Sequence, residues 1–274
     1  MKLGLQLYSV RALLPKDYAG TLARVAAIGY TEVEAAGFYG HTPAEVKAAM
    51  QAAGLQCVSG HYALHALLGD EAGTLRFARD AGLESIVCSA PYSPDEQKLR
   101  TYPGGEWQGI LHALTLEDWH WNARQFNRLG ALCQAQGLKF GYHNHTAEFR
   151  RDSAGMGYDV LLAETDPALV TLELDCGWAV ASGQDPVELL RKHPRRFSML
   201  HVKDLKAATA GMAPDQRIST VAGQGVVDYR PILAAAAKAG VRHAFVEQED
   251  FDGEILSELA ADYRNLRAMS PLLT

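Results

Sequence analysis

The chain has 274 residues, with 26 Lys+Arg against 32 Asp+Glu and a formal net charge of −6. Apolar residues make up 48% and charged residues 21%, which excludes an intrinsically disordered chain; no sustained repeat supports a coiled coil or collagen. No run approaches the roughly 20 apolar residues needed to span a bilayer, so no membrane partner is expected.

The opening, Met1 to Tyr8, has no long apolar stretch and no small-residue cleavage site, and reads as mature sequence rather than a signal peptide. Mild acidity argues against a polyanionic partner. The densest cation group, Arg191 to Arg196, falls at a predicted helix end, where it faces the last carbonyls, so no nucleic acid is expected. Cys57, Cys88, Cys133 and Cys176 are far apart and form no CxxC pair. Reduced, buried thiols in a cytoplasmic protein fit that spacing.

Short β-rich runs alternate with helical segments that end in Gly. The first run is Leu3 to Val10, followed by a helix from about Lys16 to Ile28 closed by Gly29. Glu32 to Ala36 leads to a helix with Thr42 as N-cap and Pro43 at its first position, ended by Gly54. Strand three is Gln56 to His61 and strand four is Ser85 to Ala90. Pro91 to Thr115 reads as a long irregular loop, before a helix from about Leu116 to Gln136. Strand five is Lys139 to His145, followed by a short helix near Tyr158 to Glu164. Strand six is Val170 to Asp175, with a helix from Asp185-Pro186 to His193. Strand seven is Phe197 to Lys203; a Gly/Ala-rich loop then reaches the helix that Asp228 caps. Strand eight is His243 to Gln248, and a last helix runs from about Gly253 to Met269.

Eight strand-then-helix units in a chain of this length predict a single closed (β/α)₈ TIM barrel spanning residues 1–274. In such a barrel the chemistry sits where strands end and loops begin. Strand five ends His143-Asn144-His145, with Glu148 shortly after. Strand six ends Glu173-Leu174-Asp175, strand seven His201-Val202-Lys203 and strand eight Glu247-Gln248-Glu249. Strand three ends at His61, and Glu34 on strand two reaches the floor of the site. Converging carboxylates repel one another and are costly to desolvate. A divalent cation removes that cost, and mixed His/Asp/Glu donors suit Mn²⁺, Co²⁺, Zn²⁺ or Fe²⁺ better than Ca²⁺. Gly223-Gln224-Gly225 is a lone GxG and reads as a turn, and no GxSxG elbow exists.

Several segments together resemble the sugar phosphate isomerase/epimerase superfamily, the xylose-isomerase-like barrels, whose members include inosose dehydratase and isomerase and tagatose/psicose 3-epimerase. They are Gly4-Leu5-Gln6-Leu7-Tyr8-Ser9-Val10-Arg11, Gly141 to Phe149, Leu174-Asp175-Cys176-Gly177-Trp178, His201-Val202-Lys203-Asp204, Gly223 to Asp228 and Phe245 to Gln248. The resemblance implies one divalent metal ion (Mn, Co, Zn, Fe or Mg) held by His143, Asp175, His201 and Glu247. In the superfamily a Glu stands on strand five, at or next to His143; here His143, His145 or Glu148 takes its place. The implied proton-transfer pair is Glu247 with His145. His61, Lys203, Trp178 and Glu148 are the implied substrate-binding residues.

The implied activity is isomerisation or epimerisation of a sugar, keto-sugar or cyclitol by proton abstraction alpha to a carbonyl. The replacement of the strand-five carboxylate keeps two alternatives open: a metal-dependent lyase or dehydratase on 3-keto-glycosides or inososes, and a non-catalytic sugar-binding barrel. The implied partner is a small carbohydrate, unphosphorylated because no Arg/Lys cluster marks the strand ends, and the resemblance leaves room for a homodimer.

Overall fold

The computed structural model describes residues 1–274. Eight parallel strands close into a barrel: Lys2–Gln6, Glu32–Ala35, Gln56–Ala63, Ser85–Ala90, Lys139–His143, Val170–Asp175, Phe197–Val202 and His243–Val246. The last pairs with the first, Leu3 against Ala244 and Leu5 against Val246. Parallel neighbours need crossovers, and the helices supply them on the outside. No helix is long and apolar enough to cross a membrane.

Local signals work where they stand. Thr42 and Glu45 form a reciprocal capping box, with Pro43 in the first turn and Gly54 left-handed at the far end. Asp17, Asp185 and Asp228 each accept a first-turn backbone N–H.

The first predicted strand is cut short. Gln6 accepts from the Tyr8 N–H and turns Leu7–Val10 into a 3₁₀ segment. Pro91 to Thr115 is not a bare loop, because it holds helices Glu96–Arg100 and Glu106–Ala113. Both are too short for a readable period. The stretch is tied down by buried Asp118, which accepts from Ser93 Oγ at 2.7 Å and Lys98 Nζ at 2.5 Å. Strand five ends at His143, which leaves His145 on the following loop. Strand six passes directly into a helix, Cys176–Ala181, that the sequence reading missed. Asp175 caps it, accepting from the Trp178 N–H at 2.8 Å.

The core has two parts. Most of it lies between strands and helices, where Phe126 stacks on Tyr142 with ring centres 4.9 Å apart. A smaller cluster, Val58, Val87, Met199 and Phe245, plugs the barrel itself. Gly4 makes room for that plug: a Cβ there would come within 2.6 Å of the Phe245 ring. Side chains alternate along a strand. The inward position after Met199 is therefore His201 and the next is Lys203, while Glu247 follows Phe245. The polar site sits directly on this apolar plug.

Candidate functional site

The C-terminal ends of the strands open into a cavity of about 660 Å³. His143, His145, Lys203 and Glu247 reach it from below, and Trp107 and Trp178 stand at its sides. His143, Asp175, His201 and Glu247 each offer a ligating atom, all within 4.8 Å of one another, and all four are buried. These are the four residues expected to hold a metal. His201 Nδ1 faces Glu247 Oε2 at 3.1 Å and Asp175 Oδ2 at 3.9 Å.

The opposite nitrogen of His201 is fixed from beneath. Its Nε2–H donates to Glu34 Oε1 at 2.8 Å. Glu34 is fully buried and also accepts from Gln6 Nε2, Ser59 Oγ and His61 Nε2. Burial alone would raise its carboxyl, but the charge of His61 and the hydrogen bond from His201 hold it well below the usual range. Burial opposes charge on His61, yet Glu34 and Glu173 raise that imidazole to about 9. Nδ1 of His201 faces Glu247 and Asp175 on the other side of the ring, and carboxylates at both nitrogens hold this imidazole well above its usual value against the opposing effect of burial. Carboxylate backing of this kind fixes the tautomer of a ligating histidine.

Lys203 is the one ammonium at the centre of the site. Its Nζ lies 2.9 Å from Glu247 Oε2 and 3.4 Å from Asp175 Oδ2, donates to Glu249 Oε1, and sits 4.3 Å above the Trp178 ring. Burial would lower its pKa, but Asp175, Glu247 and Glu249 hold it well above the usual value. Conversely, burial would raise Glu247, while Lys203 and His201 hold it well below. Asp175 is pushed up to about 6 by burial, partly offset by Lys203, and its Oδ2 has no hydrogen-bond partner. Gly177 allows this packing, since a Cβ there would lie 2.5 Å from the Lys203 carbonyl oxygen.

His145 lines the cavity, edge-on to Trp107 at 5.1 Å between ring centres. Burial and Lys203 push it down to about 3, so the ring is neutral, with a buried, unpartnered Nδ1. Of the expected substrate-binding residues, His61, Lys203 and Trp178 line the cavity. Glu148 does not. It is fully buried, accepts from the Tyr142 hydroxyl and from the His145 backbone N–H at 3.0 Å, and burial pushes it up to about 7. It buttresses the loop that carries His145.

Strand alternation put Glu173 on the same face as Asp175, among the converging carboxylates, but outside the ligand set; in the structure it sits against three histidines. Trp107 was missed, because its helix lies in the stretch read as a loop.

Over residues 22–269 the chain matches the family described as Xylose isomerase-like TIM barrel. It is 25% identical over 268 residues to an inosose dehydratase of Geobacillus kaustophilus, covering 88% of this chain and 79% of that one. It is 32% identical over 151 residues to an inosose dehydratase of Geobacillus thermodenitrificans, where the match takes in 52% of this chain and about half, 50%, of the relative's length. Its fold is that of a sugar phosphate isomerase/epimerase from Parabacteroides distasonis, with a TM-score of 0.79 at 24% identity, over 100% of this chain and 99% of the other. Barrel and sequence agree: the chain belongs to the xylose isomerase-like TIM barrel family.

Proposed function

We propose that this barrel is a divalent-metal-dependent enzyme that removes a proton alpha to the carbonyl of a small keto-sugar or cyclitol and eliminates water from it. The observation that carries the proposal is the convergence of His143, Asp175, His201 and Glu247, of which His143 and Glu247 line a sugar-sized cavity. The donor set suits a cation: two imidazoles and two carboxylates, with the buried Asp175 Oδ2 accepting no hydrogen bond from the protein. When bound there, a divalent ion polarises a carbonyl and offsets the negative charge that develops on its oxygen.

The proton chemistry belongs to the chain's own groups. Glu247, held as the carboxylate, is the proton acceptor. Lys203, held as the ammonium, is the nearest donor, so a departing β-hydroxyl leaves with its proton as water. Their contact at 2.9 Å then lets Glu247 return the abstracted proton to Lys203, which restores both groups after each turnover. His145, a neutral imidazole lining the cavity, hydrogen-bonds a substrate hydroxyl.

Isomerisation or epimerisation, the expectation from the sequence, starts with the same abstraction. Epimerisation also needs a second acid–base group on the far face of the substrate. With strand five offering His143 in place of a carboxylate, and His145 so weakly basic, an acceptor and donor in mutual contact favour elimination. The similarity to inosose dehydratases points the same way.

The partner is a small carbohydrate, with no role for nucleic acid or membrane. Incubating the Mn²⁺-loaded protein with inososes and 3-keto-glycosides in D₂O tests the reading. Loss of the mass of water from the product is expected; an isomer of unchanged mass assigns the epimerase instead. Binding without any proton exchange makes the chain a sugar-binding barrel. If Asp175→Ala leaves metal content and turnover intact, the proposal fails altogether.

A further inference from the structure

Beneath the Asp175–Glu247 pair, a second knot of donor atoms surrounds one carboxylate oxygen. Glu173 Oε2 has His61 Nε2 at 2.9 Å, His143 Nδ1 at 3.1 Å and His201 Nε2 at 3.3 Å. The ligating atoms of these four residues lie within 4.8 Å of one another. Four donors placed tetrahedrally about 2.0–2.1 Å from an ion are separated by about 3.3–3.4 Å. The oxygen-to-nitrogen spacings here approach that edge length.

Hydrogen bonding accounts for the knot poorly. Glu34 Oε1 adds contacts of 2.8 Å to both His61 Nε2 and His201 Nε2. Five N···O contacts therefore share at most three ring protons, one for each nitrogen. The second oxygen of Glu173 is buried and has no partner at all. Lys203 is engaged above, with Asp175, Glu247 and Glu249, so the Glu34 and Glu173 carboxylates face imidazoles alone. A route in exists, because His61 and His143 both border the cavity.

We propose that the barrel offers a divalent cation a second, deeper seat, formed by His61, His143, His201 and Glu173 and charge-balanced by Glu34. Three imidazoles and one carboxylate suit Zn²⁺ or Co²⁺. The deeper seat shares His143 and His201 with the upper one, and a neutral imidazole ligates through one nitrogen. The two seats are therefore alternatives for a single ion. The inference rests on the reading of this barrel as a cation site, but its distinguishing ligands, His61 and Glu173, are not those of the upper seat.

The test is Co²⁺ content after equilibrium dialysis, with circular dichroism to check folding. Wild type is expected to hold one equivalent. Asp175→Asn keeps one in the deeper seat, His61→Gln keeps one in the upper, and the double variant holds none. Glu247→Gln replaces Asp175→Asn should the latter not fold. X-ray absorption of the Co²⁺-loaded proteins adds a second readout: a shell with three imidazoles in Asp175→Asn against two in His61→Gln. Loss of all cobalt in Asp175→Asn and Glu247→Gln overturns the deeper seat while leaving the proposed function standing. Loss in His61→Gln alone supports the deeper seat and sinks the upper-seat reading. Two equivalents in wild type, or identical shells in the two variants, overturn the sharing, and no cobalt in wild type overturns both readings.

Discussion

Replacing Lys203 by Met removes the ammonium and keeps an unbranched side chain of similar bulk. Lys203 is 1% exposed, Asp175 0% and Glu247 7%, so the carboxylates left behind cannot turn to water. Stripping one partner from a buried charge cluster costs about 3–5 kcal/mol. The variant should lose that much in urea unfolding at pH 7 with EDTA present. The same change removes a competitor of the cation. A +1 ammonium about 4 Å from a +2 ion repels it by about 2 kcal/mol even at the dielectric of water. Mn²⁺ should consequently bind Lys203→Met about 30-fold more tightly by calorimetry. At saturating Mn²⁺ the stability deficit should shrink by the same ~2 kcal/mol. Turnover should fall sharply even so, since the proton donor is gone. A loss below about 1 kcal/mol in EDTA, or an unchanged Mn²⁺ affinity, would refute the idea that this ammonium and the cation answer the same charge.

Other expectations are independent of the metal. Asp262 accepts from the Ala222 N–H at 2.6 Å, its other oxygen is unpartnered, and burial pushes its carboxyl up to about 7. An unfolded Asp titrates near 3.9. Between those values the native chain holds a proton that the unfolded chain has released, so stability falls as pH rises through this window, by up to about 4 kcal/mol. Asp262→Asn should remove that slope and gain on wild type between pH 4.5 and 8; a constant difference across that range in urea unfolding contradicts the assignment. Phe126→Ala should cost about 3–5 kcal/mol and roughly 10 °C in thermal midpoint, because the ring is fully buried against Tyr142 and Phe140. A shift of only 1–2 °C would show that the helix layer closes over the gap. Gly177→Ala should cost about 2 kcal/mol and lower turnover by displacing Lys203; wild-type stability together with wild-type rate would show that the helix after strand six has slack there.

Much of this protein was legible in one dimension. Gly-ended helices alternating with β-rich runs report a barrel because backbone propensity and capping act over a few residues. Asp175, His201 and Glu247 stood out for a similar reason, since a strand end followed by a loop is a local feature. Elements too short to show a period, such as Glu96–Arg100 and Cys176–Ala181, escaped that reading.

What a residue faces across the barrel is a different kind of information. Glu34, His61, Glu173 and His201 come from strands two, three, six and seven, and only closure of the sheet brings them to one point. Closure likewise sets Lys203 among three carboxylates, and the curl after His143 turns Glu148 away from the cavity. The chain order by itself determined the barrel and the rim on which its chemistry lies. Only the tertiary structure decided which charges meet there, because electrostatic contact falls off over a few ångströms and takes no account of sequence separation.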